Sequence, residues 1–126
     1  MTTTAELLTD AFDRIREIVH QSVRSLSADD LAARLDDEAN SIAWLVWHLT
    51  RVQDDHIAEV AEREQVWTSQ GWVERFELPF RPSATGYGQS SADVGQVRSS
   101  AELLLGYHDA VHAQSVAYLD TIRGDD

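Results

Sequence analysis

Apolar residues recur at three- and four-residue steps along three long stretches of this chain, and nowhere do they alternate with polar ones long enough to make a strand. That spacing marks one face of a helix, so the fold class is all-α. The first stretch runs from Ala5 to Leu26, with Leu8, Phe12, Ile15, Val19 and Leu26 on one face. A short segment opens at Ser27, where Ser-Ala-Asp-Asp has capping-box form. The second long helix is expected after Asn40 or Ser41 and through Glu64, striped by Ile42, Leu45, Leu49, Val52 and Val60. The third is expected from Ser90, capped by Ser90 and Asp93, to about Arg123, with Leu104, Val111, Leu119 and Ile122 as its stripe. Both prolines and most glycines fall between Gly71 and Gly95, the one long irregular connection. The 126 residues therefore read as a single domain, residues 1–126, in two helical halves.

Three long helices leave an apolar stripe uncovered, because a bundle of this pattern ordinarily has four. The short segment after Ser27 closes a three-helix bundle on one reading. On the other, which we prefer, a fourth helix is missing and comes from a partner chain or from a downstream segment.

Composition removes several kinds of chemistry. With no cysteine there is no disulfide framework, thiolate metal site or cysteine nucleophile, and with no lysine there is no Schiff base. A formal net charge of −12 argues against binding nucleic acid or an anionic membrane. Met1 to Asp10 lacks the basic start and apolar run of a secretory signal, and no window approaches a membrane span, so a cytoplasmic protein is expected.

The five histidines, His20, His48, His56, His108 and His112, sort by helical position. His108 and His112 are one turn apart, within ~80° of Leu104, so both look inward. Two imidazoles at i and i+4 can share one metal ion. His48 and His56 are ~12 Å apart along their helix and cannot ligate the same ion. Periodicity favours His56, which falls in the apolar stripe, over His48 at its edge. His20 lies near a helix C-terminus, where a cation complements the dipole. An inward histidine is otherwise a core residue that needs a hydrogen-bond partner, and Asp54, Asp55 and Asp109 are near enough in sequence to serve. Gln53-Asp54-Asp55-His56 equally reads as a solvated face. Trp47 points ~100° or more from the stripe and should cover another element, while Trp67 and Trp72 should fold the connection onto the bundle.

Asn40-Ser41-Ile42-Ala43-Trp44-Leu45-Val46-Trp47-His48-Leu49, followed by Arg51-Val52-Gln53-Asp54-Asp55-His56, resembles the DinB superfamily. More narrowly it is similar to the actinobacterial mini-circle-type branch, related to mycothiol-dependent maleylpyruvate isomerases, as is Leu105-Gly106-Tyr107-His108-Asp109-Ala110-Val111-His112-Ala113. The resemblance implies a four-helix bundle with a long connection between the second and third long helices. It also implies a divalent metal (zinc, nickel, iron or manganese) held by three side chains. His48 matches the histidine ligand of the second long helix. His108 and His112 have the spacing of the other two ligands but stand on the third long helix rather than a fourth. The implied activity is an S-transferase using a low-molecular-weight thiol such as mycothiol or bacillithiol on a small-molecule substrate. Two functions are therefore expected as alternatives: a metal-dependent enzyme with His48, His108 and His112 as ligands, or a non-catalytic helical module that forms a homodimer.

Overall fold

The computed structural model describes residues 2–122. The described residues are all helix, turn and loop, with no strand. Helix α1 spans Thr4–Val23 and opens on a capping box between Thr3 and Glu6. Helix α2 (Ala28–Ala32) starts at Ser27, whose hydroxyl accepts from the Asp30 N–H. Helix α3 (Ile42–Ala61) is capped by Ser41 through the Trp44 N–H. It stops earlier than the sequence suggests, because Glu62 takes a left-handed conformation (φ 56°) and Arg63 and Glu62 donate back to Ala58 and Glu59. This is a Schellman-type close without glycine. Two short helices follow, α4 (Val66–Ser69) and α5 (Trp72–Phe76).

The third long helix also departs from expectation. Ser90 and Asp93 do form a capping box, but on a separate short helix, α6 (Ser91–Gly95). Residues 96–100 are not helical, and the long α7 (Ala101–Ile122) begins only where Ser100 accepts from the Leu103 N–H. Its expected end near Arg123 lies outside the described residues.

Helix α7 is central, packed against α1 on one side and α3 on the other, while α1 and α3 make little direct contact. Pairing of Asp13 with His112 and of His20 with Asp109 makes α1 antiparallel to α7. Thr50 with His108 and Gln53 with Ser115 make α3 run with α7. The core lies between α3, α7 and the connection, built on Trp47, Val66, Trp67, Phe76, Leu104, Tyr107 and Val111. Trp47 meets Trp67 and Phe80, and Trp67 meets Phe76 and Tyr107. The tryptophans thus fold the connection back over the bundle, as their placement suggests.

Candidate functional site

The histidines do not converge. His48 stacks on Trp44 with ring centroids 4.6 Å apart and meets the edge of Tyr87. Its Nδ1 is 2.5 Å from the Thr85 carbonyl oxygen, which can only accept, so Nδ1 carries the proton and Nε2 the lone pair. Gly86 makes this approach possible: a Cβ there would land on the His48 ring, and its φ of +106° suits glycine.

His108 lies on another side of α3. It is fully buried, with Nδ1 3.0 Å from Thr50 Oγ1. Thr50 spends its own proton on the Val46 carbonyl, so it accepts from His108 Nδ1–H and leaves Nε2 as a buried lone pair without a partner. Burial holds His108 down at about 4, against the weaker opposing pull of Asp109. Thr50 and His48 stand ~160° apart around α3, so the two rings sit on nearly opposite faces of that helix.

His112 turns to α1 instead, its Nε2 donating to Asp13 at 2.6 Å. Asp109 also serves α1, accepting from His20 Nε2 at 2.6 Å and Arg16 Nε at 2.8 Å. Partial burial pushes the Asp109 carboxyl up, but these hydrogen bonds outweigh it and hold it below its ordinary value. Among the described residues, no three histidine or carboxylate side chains are gathered to hold a metal ion. The expected set of His48, His108 and His112 therefore does not fit a shared divalent metal as these side chains stand.

The acidic run beside His56 divides. Asp54 is buried at 2% exposure and accepts from the Val66 and Trp67 N–H groups and from Tyr107 Oη. It caps α4 and faces the fully buried Arg51 at 3.7 Å. The Arg51 guanidinium lies 5.2 Å from the Trp67 ring and donates to the Ala84 and Pro82 carbonyls and Gln65. Burial first, then the Asp54 charge, pushes the Tyr107 hydroxyl far above its ordinary value, so it keeps the proton it donates to Asp54 while its oxygen accepts from Arg51. Asp55 accepts from Gln65. These carboxylates hold the connection in place rather than orienting a ligand histidine, and a solvated face is the wrong description for Asp54. Nothing in the local sequence marks Arg51 as a core residue. Its helical phase, ~40° from Trp47, is the one signal that places it there.

His56 is exposed and belongs to a different feature. Phe12 and Ile15 on α1 and Leu49, Val52, Gln53, His56 and Ile57 on α3 line an open groove of about 420 Å3. None of these residues carries a fixed charge. The groove follows from the packing, since α1 and α3 both pack on α7 but make little contact with each other. The stripes picked out by periodicity, Leu8 to Ile15 and Ile42 to Val60, border this opening. Leu8, Ile15, Ile42, Leu45 and Val60 are all exposed.

A family comparison agrees with the fold: residues 4–126 match the DinB superfamily. The chain belongs to the DinB superfamily. A crystal structure of a conserved protein from Enterococcus faecalis is similar to it, with a TM-score of 0.88 at 23% identity over 99% of this chain and 74% of that one. At that identity the likeness speaks for the fold alone. No curated protein matches the chain. In this DinB-superfamily chain the described helices pack around α7, and the groove lies on the α1–α3 side.

Proposed function

We propose that this chain is a DinB-like helix-docking module, acting through its α1–α3 face rather than through a metal centre made from its own side chains. The groove between Phe12, Ile15, Leu49, Val52 and Ile57 is the observation that carries the reading. Contiguous apolar surface of this kind on a soluble chain marks a contact site, and a helix is the natural occupant of a trough between two helices. Gln53 and His56 supply its polar contacts. The metal-dependent, thiol-using transferase of the mini-circle branch remains the alternative, favoured by one observation: His48 is oriented through Nδ1 with its Nε2 lone pair available.

A dye and a metal titration separate the two. At dilution, an anilinonaphthalene dye should bind saturably at one site and lose that site in Leu49→Glu, while zinc titration shows no stoichiometric uptake. Absence of a dye site, or one zinc per chain that disappears in His48→Ala, would overturn the docking reading.

A further inference from the structure

We infer that the α1–α3 groove also binds a small uncharged molecule, apolar along its body and carrying one hydroxyl or N–H donor that Gln53 Oε1 accepts. This goes beyond the docking reading, since such a molecule would compete with a partner helix for the same walls. Gln53 carries the inference. It lines the groove yet is only 9% exposed, ~40° round α3 from Leu49 and ~60° from the α7-facing Thr50. A relay on α7 orients its amide. Ser115 is fully buried and donates its hydroxyl proton to the Val111 carbonyl at 2.8 Å, so toward Gln53 its Oγ can only accept. The Gln53 atom 2.9 Å from that oxygen is therefore Nε2. Oε1 is turned away from Ser115, and no described group donates to it. Unlike His108 Nε2, it is not sealed off from the surface. A nine-tenths buried amide with its acceptor unfilled is half of a hydrogen bond waiting for a ligand.

The walls fit the same ligand. Phe12, Ile15, Leu49, Val52 and Ile57 offer an apolar bed, and about 420 Å3 falls within the ~300–1,000 Å3 of small-molecule sites. One fixed polar group in an apolar trough sets orientation as well as affinity. Neither arginine nor carboxylate lines the groove, so an ionised ligand would give up hydration with no opposite charge to replace it. The net charge of −12 opposes an anion further. A carbonyl or ether oxygen would set acceptor against acceptor at Gln53. A neutral donor is the one polar group that gains from this site. His56 is exposed and still open to water, so it discriminates less than the buried amide.

The test titrates three probes of similar shape into the full chain and follows the methyl NMR signals of Leu49, Val52 and Ile57. The probes are 4-propylphenol, its methyl ether 4-propylanisole, which has no donor, and 4-propylbenzoate, which is charged. The phenol should shift those methyls saturably and bind roughly fivefold tighter than the ether and about tenfold or more tighter than the benzoate. Gln53→Leu should erase the preference for phenol over ether while the ether still binds, and His56→Ala should keep that preference. No saturable shift at the groove methyls would overturn the inference, and so would an ether or benzoate as tight as the phenol in wild type. A preference that survives Gln53→Leu, or one that is lost in His56→Ala, would also overturn it. The wild-type comparison of phenol with ether decides the matter even if Gln53→Leu does not fold. If the dye keeps its Leu49-dependent site while the phenol fails, this inference falls and the docking reading stands.

Discussion

Helix α3 has two long sides that are finished in different ways. Toward α7 and the connection it presents Ala43, Val46, Trp47, Thr50, Arg51, Asp54 and Ala58, all buried. There the charges of Arg51 and Asp54 have hydrogen-bond partners, and the cluster of tryptophans, Phe76 and Tyr107 excludes water. Toward α1 the same helix presents Ile42, Leu45, Leu49, Val52 and Val60, more apolar yet less covered. The more polar face is sealed and the more apolar face is open. Sealing is thus decided by whether a partner element is available, and hydrophobicity alone does not show which face is the core.

The largest effects should come from breaking the sealed side. Asp54→Ala strands two backbone donors, Tyr107 Oη and the buried Arg51, and should cost about 3–5 kcal/mol in urea unfolding. Asp55→Ala, which removes one part-buried hydrogen bond from Gln65, should cost about 1 kcal/mol.

Acid should loosen the same side through His108. Its folded pKa of about 4 lies below the ordinary 6.5, so the folded chain binds fewer protons than the unfolded one between those values. Stability from this group is whole above about pH 6.5 and declines by about 3 kcal/mol as pH falls through 4. Urea midpoints measured on each side of that window should differ in wild type and by much less in His108→Gln. Asp109, held below its ordinary value, adds stability that is lost only at lower pH.

Gly86 ties the connection to the His48–Trp44 stack, and Gly86→Ala should cost about 1–3 kcal/mol in thermal melts, since both its φ and the His48 ring oppose a Cβ. Gly88→Ala, with open space around it, carries only the backbone cost of its φ of +74°. The smallest change in stability belongs to the open side: Leu45→Glu should stay within about 0.5 kcal/mol.

Much of this fold is legible in the sequence. Caps at Ser27 and Ser41 stand where expected, Ser90 caps a short helix instead of the long one, and the Trp67–Trp72 region folds back as its composition suggests. The apolar stripes are real, but periodicity reports only that a face is apolar and not what covers it. For that reason Leu45 and Leu49 read as core although they border the groove. Arg51 and Asp54 were not legible, because a buried ion pair has the same local pattern as a solvated one and its partners lie in a distant connection. The histidine pair was misleading in a related way. Helical spacing brings His108 and His112 together on paper, yet Thr50 on α3 holds one and Asp13 on α1 the other.

The central claim is that the α1–α3 face is where this chain meets its partner. Hydroxyl-radical footprinting of wild type with and without saturating anilinonaphthalene dye reads that face directly, residue by residue. Phe12, Ile15, Leu49 and Val52 should become protected as the dye fills the groove, while the more exposed Leu35 and Tyr87 stay reactive. Reactivity in the α1–α3 groove that does not change on dye binding would contradict the account.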